Sequence, residues 1–437
     1  MKKTAECVDV VVGLQAGSEA KGKLISVLPG PYKALIRTGS VNAAHTIYLG
    51  DEKIVFHQLP AGSVHFPDAY IILGAGAQID LDHLQKEIQF LKDRDCWLID
   101  GKPRLVIDAN ATIIDYIDKV AENGGKMPDC GSLYFTPTKC ERHKELGNTC
   151  IGCEKISNDS AWIKLGSTTH GTGANLIRKI ARGTKMAALA GAPFDFKKYV
   201  KRMMEEHNCD ESECFRILMS EGSISDWIAE TEVKPIEFAS DNEFTKQFIS
   251  NTPEFINELI DYGKPILLEG TQGAVLSLHH GYQNKTTSRE TNAAAWCAEA
   301  GISPMSIRDI YGVARLFPIR VAGNSGPLGQ EITWEQLSEE MESPDLIQEK
   351  TSATKRVRRI FRWDDKIFMK SYAINRPTKL CLTFVDYAHI SDFGKSSWED
   401  LTMKAKNIVV GIESRLGIYF NYLSTGPKQE HTIKRTK

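Results

Sequence analysis

Short apolar runs alternate with longer amphipathic stretches along this chain. Val8–Gly13 is a nearly continuous apolar run closed by glycine, the pattern of a strand buried on both faces of a parallel sheet. Similar runs at Ala34–Ile36, Tyr70–Leu73, Arg104–Ile107, Pro265–Leu268 and Leu380–Val385 predict further strands. Helical spacing over Leu81–Leu91 and Pro253–Tyr262 predicts helices between them. Strands alternating with helices imply an α/β fold, with a mostly parallel central sheet and flanking helices. Asp195–Asn208 and Glu211–Glu221 read as helices of a cap over the sheet, within a region spanning 190–262. Residues 124–160 break the rhythm: they are rich in Gly, Cys, Lys and Asn and read as a small inserted module. With no internal repeat or low-complexity tract, the chain reads as one elaborated domain, 1–437. The polar, basic end, His431–Lys437, is expected to fray.

Composition narrows the function classes. A chain of 437 residues that is 42% hydrophobic has ample material for a large core. A net charge of −2 supplies no basic field for nucleic acid or a membrane surface. No apolar run reaches the roughly 18 residues a membrane helix needs. The N-terminal Met1–Leu14 lacks a signal-peptide apolar region and cleavage site, and reads as the approach to the first strand. Ten cysteines in so long a chain point to reduced thiols in the cytoplasm rather than a disulfide scaffold.

The first chemical signal follows the first strand. Gly17-Ser18-Glu19-Ala20-Lys21-Gly22-Lys23 fits G-x-x-x-x-G-K, a loop whose backbone N–H groups and lysine cradle phosphates. Leu24 stands where an ordinary phosphate loop has the Ser/Thr that holds Mg²⁺, so a metal here needs other ligands.

From this loop onward the chain resembles the adenylosuccinate synthetase family over nearly its whole length. Gly13–Lys23 corresponds to that family's G-x-Q-W-G-D-E-G-K-G-K segment, and Asn42-Ala43-Ala44-His45-Thr46 to its N-A-G-H-T block. Leu59–Gly62, Leu73–Gly76, Lys164–Thr168, Lys179 with Arg182, Glu269–Gly273 and Tyr311–Ala314 follow in the family's order. Thr354–Arg359 resembles its arginine-rich loop, and Leu382–Asp386 and Ser424–Pro427 its base-recognition segments.

The resemblance implies a phosphate-loop-type α/β fold and a ligase that phosphorylates O6 of a 6-oxopurine monophosphate and displaces that phosphate with the amine of L-aspartate. It implies Mg²⁺, held near Ser18 and Ala44. Ser18, His45 and Gln272 take the catalytic positions, His45 as acid or electrostatic stabiliser and Gln272 at the O6 edge of the purine. Gly17, Glu19, Ala20, Lys21, Gly22, Lys23, Ala44, Thr46, Asp386, Ser424, Gly426 and Pro427 take the positions that hold the phosphoryl donor. Asn42, Thr168, Arg182 and Thr286, with Ser18 and Gln272, take those that hold the monophosphate; Arg182 reaches across a homodimer. Thr351, Ser352, Thr354, Arg356 and Arg358 take those that hold L-aspartate, where the planar fork of arginine suits carboxylates.

Two departures bear on substrate. The family's loop aspartate is Ser18 here. A guanine carries a 2-amino group beside N1 that a carboxylate would crowd, whereas a serine hydroxyl leaves room and accepts a hydrogen bond. This resembles the phage-type branch, which joins dGMP to L-aspartate on the way to 2-aminoadenine DNA, and places the reaction in a host cytoplasm. The family lysine two residues before Asp386 is Phe384, which stacks on a base but cannot bond guanine O6, so ATP or dATP is expected beside GTP as donor. Two alternatives stay open: an ordinary adenylosuccinate synthetase using IMP and GTP, and an inactive nucleotide-binding paralogue.

Within the insertion, Cys140, His143, Cys150 and Cys153 form C-x₂-H-x₆-C-x₂-C, two chelating pairs suited to a tetrahedral structural zinc, with Cys130 nearby as a substitute.

Overall fold

The computed structural model describes residues 5–115, 118–119, 170–181, 236–282, 285–343, 348–351 and 356–436. The chain divides into two compact units, residues 1–111 with 238–437, and residues 112–237.

The larger unit is built on a ten-stranded sheet. In chain order its strands are β1 Val8–Gly13, β2 Ala34–Arg37, β3 Tyr70–Leu73, β4 Leu105–Asp108, β5 Ile249–Ser250, β6 Ile266–Glu269, β7 Ile307–Arg315, β8 Lys379–Thr383, β9 Tyr422–Ser424 and β10 Thr432–Lys434. Their order across the sheet is β5-β4-β3-β2-β6-β1-β7-β8-β9-β10. Every pairing is parallel except β9 with β10. The six strands expected from apolar runs are all present; Val8–Gly13 and Tyr70–Leu73 have the expected bounds, and the other four differ by one or two residues.

Two expectations need correction. The run Leu380–Val385 is strand only to Thr383, because Phe384 adopts a left-handed backbone with φ 57° and turns the chain into a 3₁₀ helix. The C-terminal residues do not fray throughout: Thr432–Lys434 pairs antiparallel with β9, which satisfies its backbone groups.

The core follows from the pattern. All six residues of β1 are buried, so it lies between neighbours on both edges and packing on both faces. Val8, Val10, Val12, Ile36, Leu268 and Leu382 share one apolar cluster with Trp296 and Cys297 of helix Ala293–Ala300 and with Ile256 and Ile260 of helix Thr252–Asp261. Each such side chain removed from water contributes roughly 1.5–3 kcal/mol. Polar residues start these helices and the helix Leu81–Lys92: Asn251 accepts from the Glu254 N–H, Asn292 from Ala295 and Asp80 from His83.

Of the expected cap region 190–262, only residues 236–262 are described; the proposed helices at 195–208 and 211–221 lie outside the described residues. Ile249–Ser250 pairs with β4, and Thr252–Asp261 packs on the central core.

In the smaller unit, helix Thr172–Ala181 is anchored by Asn175. Its amide donates to the Ile113 carbonyl at 2.8 Å and to Asp118 Oδ2 at 3.0 Å, and accepts from Thr112 Oγ1 at 2.6 Å.

Candidate active site

Strand β1 ends between β6 and β7, at the carboxyl edge of a parallel sheet, where open α/β folds place their ligands. The loop leaving Gly13 is organised by an internal anion. Glu19 Oε1 accepts the N–H groups of Gln15 at 3.0 Å and Gly17 at 2.7 Å, and its Oε2 meets Lys21 Nζ at 3.1 Å. Space for this buried carboxylate comes from two glycines. A Cβ at Gly13 would lie 2.5 Å from Glu19 Oε2, and one at Gly273 would lie 2.6 Å from Oε1. Gly17 and Ala20 take left-handed backbones, with φ 100° and 62°, which closes the loop onto helix Lys21–Ile25.

The two motif lysines are not equivalent. Lys21 is spent on the protein: besides Glu19, its ammonium donates to the carbonyls of Gly17 at 3.2 Å and Gln272. Lys23 is buried, and its Nζ has no hydrogen-bond partner among the described residues. Burial lowers its pKa to about 8. A buried cation without a partner is costly, and an anion would offset that cost. Gly22, between them, lets strand His45–Leu49 lie against the helix start, since a Cβ there would meet the Thr46 carbonyl at 2.5 Å. That strand pairs antiparallel with Glu52–Phe56 in a hairpin the sequence reading did not foresee.

The hairpin begins at His45, whose Nδ1 hydrogen-bonds Glu269 Oε1 at the end of β6. Glu269 is itself held by Arg37 Nη1 at 3.4 Å and by the Ala61 N–H at 2.7 Å. All three side chains are buried. Burial lowers the pKa of His45 to about 4, against the opposing charge of Glu269 and with Arg37 and Lys21 adding to the shift. The other ring nitrogen, Nε2, is buried and has no partner among the described residues.

Gln272 sits beside the phosphate loop with a left-handed backbone, φ 56°. Its amide donates to Asn42 Oδ1 at 3.4 Å and Thr287 Oγ1 at 3.2 Å, and accepts from Thr271 at 3.2 Å. Asn42 and Gln272 were both expected at the monophosphate. Thr287, which no motif singles out, reaches Gln272, and its neighbour Thr286, also expected at the monophosphate, lies against Gly281.

Ser18 faces the arginine-rich loop. Its hydroxyl accepts a 2.7 Å hydrogen bond from Arg358 Nη1, and its carbonyl accepts from Arg315 Nη1 at 3.4 Å. Arg315 is the buried hub here. It pairs with Glu349, lies 3.6 Å from the Phe384 ring centroid and 5.5 Å from that of Tyr387, and takes both amide groups of Gln15 on its backbone. The Tyr387 hydroxyl donates to Glu349 at 2.9 Å. One face of Phe384 therefore carries a guanidinium. Arg356 is exposed, and its backbone is clasped by Thr351 at 2.9 and 3.1 Å. Ser352 and Thr354 lie outside the described residues. No sequence signal marked Arg315 or Glu349, because their meeting depends on where β7 delivers the chain.

On the far side, Asp386 is buried and its Oδ1 has no partner among the described residues. Desolvation raises its pKa to about 7, with Arg315 opposing and Glu349 and Asp392 adding to the shift. The Ser424 hydroxyl donates to the Gly426 carbonyl at 3.0 Å, and Gly426 lies against the His431 ring, a residue the motif reading passed over. Pro427 continues this turn.

Thr168 and Arg182 lie outside the described residues, as do Cys130, Cys140, His143, Cys150 and Cys153. Among the described residues, no group of three or more His, Cys, Asp or Glu side chains could hold a metal. No helix among them is long and apolar enough to cross a membrane.

Comparison with known proteins identifies the family. The family model of adenylosuccinate synthetase matches residues 10–129 and 151–393. Its interruption falls within the Cys-rich stretch. The adenylosuccinate synthetase of Methanocaldococcus jannaschii is 27% identical over 429 residues, covering 97% of this chain and 95% of that protein. The enzyme of Thermococcus sibiricus is 27% identical over 427 residues, covering 97% of each. Among solved structures, the succinoaminodeoxyadenylate synthetase of cyanophage S-2L, bound to dGMP and dATP as an energy donor, superposes with a TM-score of 0.67 at 22% identity, covering 99% of this chain and 96% of that one. The fully ligated adenylosuccinate synthetase of Plasmodium falciparum superposes with a TM-score of 0.66 at 20% identity, covering 99% and 100%. At these identities the superpositions establish the shared fold.

Proposed function

Since this chain belongs to the adenylosuccinate synthetase family of C–N ligases, we propose that it joins dGMP to L-aspartate, driven by ATP, dATP or GTP, and yields N6-succino-2-amino-2'-deoxyadenylate. The observation that carries the choice of substrate is Ser18. At the place of the family's loop carboxylate stands a neutral hydroxyl, held by Arg358 at 2.7 Å. That hydroxyl leaves space for the 2-amino group of guanine and has a lone pair left to accept from it. A pocket that satisfies a polar group discriminates strongly against the analogue lacking it. The fold shared with a chain bound to dGMP and dATP supports the same reading.

The roles divide by position. Lys23 and the loop receive the donor's phosphates. Asn42, Gln272 and Thr287 meet the purine and its phosphate. Arg358 meets the carboxylates of L-aspartate. His45 stabilises the phosphoryl group in flight. Arg182 completes the monophosphate site from a second copy, so the enzyme works as a homodimer, in the cytoplasm. Adenylosuccinate synthetases use Mg²⁺. Neither of the residues expected near it, Ser18 and Ala44, carries a carboxylate. The negative charge such an ion prefers would come from the nucleotide phosphates, whose developing charge it neutralises when bound.

A second reading, IMP with GTP, is favoured by Asp386, because a buried carboxylate with an unpartnered oxygen suits the N1–H and N2–H₂ of guanine. Against an inactive paralogue stand His45, Gln272 and Arg358, which a pure binder does not need together.

The deciding experiment incubates the protein with Mg²⁺ and L-aspartate, offers ATP, dATP or GTP against dGMP, GMP and IMP, and identifies product by mass. Product from dGMP supports the proposal. Product from IMP alone overturns it in favour of the ordinary synthetase. Nucleotide binding without product points to the paralogue.

A further inference from the structure

The Glu269–His45 contact has no role in the assignment above, although it fixes which nitrogen of the imidazole is offered to a ligand. Glu269 is the last residue of β6, buried, and accepts from three donors: His45 Nδ1, Arg37 Nη1 at 3.4 Å and the Ala61 N–H at 2.7 Å. A carboxylate in this environment is an acceptor only, so the His45 proton must lie on Nδ1. The opposite nitrogen, Nε2, is the one left buried without a partner among the described residues. Arg37 is braced in turn. It donates to the carbonyls of Ala43, His57 and Leu59. The 57–59 strip is pinned by Glu87, whose carboxylate accepts the N–H groups of His57, Gln58 and Leu59. A helix-borne carboxylate, a buried arginine and a strand-end glutamate thus converge on one ring.

We propose that Glu269 is a positioning residue for the reaction: by accepting the Nδ1 hydrogen bond of His45 it sets the resting tautomer and ring orientation and stabilises the imidazolium, so that Nε2 faces the reacting phosphoryl group and, protonated when that anion is bound, donates to it. The proposal rests on the functional reading above only in taking His45 as the catalytic imidazole. Burying a carboxylate and an arginine against one histidine is expensive unless every polar atom is met. Apolar side chains would have filled this space at lower cost. Glu269 acts through His45, so its effect must vanish when His45 is gone.

The test is a double-mutant cycle of Glu269→Gln and His45→Ala, assayed with whichever monophosphate the wild-type enzyme converts. The uncharged amide keeps the shape but weakens control of the tautomer. Glu269→Gln is expected to lower kcat on the order of 100-fold, by analogy with removing the charge behind a catalytic histidine, with KM for donor and monophosphate within about threefold of wild type. In the His45→Ala background it is expected to change kcat less than about twofold. A Glu269→Gln enzyme with wild-type kcat, or a loss that adds fully to that of His45→Ala, overturns the proposal. If Glu269→Gln does not fold, the ¹⁵N shifts of the His45 ring in wild-type protein decide: a protonated Nδ1 and bare Nε2 are expected, and the reverse tautomer overturns it. That signal is independent of substrate choice. A failure of dGMP as substrate with the expected tautomer therefore counts against the proposed function alone.

Discussion

Arg358 donates to the hydroxyl of Ser18, which ties the arginine-rich loop directly to the phosphate loop across 340 residues of sequence. Here a neutral acceptor meets a cation whose pKa is lowered by burial. Arg358 thus keeps donor capacity for other acceptors, where a carboxylate at position 18 would claim it bidentately.

Ser18→Asp is therefore expected to trade substrates. The new carboxylate crowds the 2-amino group of guanine and pairs with Arg358. kcat/KM for dGMP should fall by roughly 100-fold or more, and the ratio of IMP to dGMP turnover should rise. Steady-state kinetics with the two monophosphates in parallel checks this; an unchanged ratio would show that Ser18 does not select the base.

Lys23 offers a trade between stability and binding. Its ammonium is buried without a partner among the described residues, and burial lowers its pKa to about 8. Lys23→Met keeps the packing and removes the buried charge. The melting temperature without nucleotide should rise by a few degrees, while the further rise on adding ATP and Mg²⁺ should be lost. A thermal shift assay of both proteins reads both effects.

Asp386 makes a pH prediction with a definite sign. Its folded pKa is raised to about 7, against about 3.9 in an unfolded chain. Between those values the folded state holds the extra proton, so this group's contribution to stability falls as pH rises from about 4 to about 7 and stays low above. Asp386→Asn cannot ionise. Its melting temperature relative to wild type should therefore climb across that window and level off by pH 8. A difference that is flat with pH would show that the carboxyl is not desolvated.

Gly13 tests the internal anion of the loop. A methyl group at this position would lie 2.5 Å from Glu19 Oε2 and 2.7 Å from the Gln272 carbonyl. Gly13→Ala must displace Glu19 and with it the Gln15 and Gly17 N–H groups. Overpacking of this kind costs roughly 1–3 kcal/mol, so KM for the phosphoryl donor should rise about tenfold or more. Isothermal titration with a non-hydrolysable nucleotide is the direct check.

What the sequence settled by itself was local or repetitive. Runs such as Val8–Gly13 and Tyr70–Leu73 are short and apolar on both faces, which fits buried parallel strands. The G-x-x-x-x-G-K spacing marks a phosphate loop because strand, turn and lysine are contiguous. Short motifs single out His45, Gln272 and Asn42 as candidates, and the structure brings Asn42 to Gln272. What tertiary structure alone decided is which distant groups meet. Lys21 and Lys23 look alike in the motif, yet one is consumed by Glu19 and Gln272 while the other is left unpaired. The hub formed by Arg315, Glu349, Tyr387 and Phe384 joins the ends of β7 and β8 to a loop between them. Glu269 meets His45 because β6 lies beside β2, whose end at Arg37 leads into the segment that carries His45, an adjacency created by the crossover order of the sheet. Periodicity reports which face of an element is buried. It carries no information on which element is the neighbour, and charge pairing at the site depends on that neighbour.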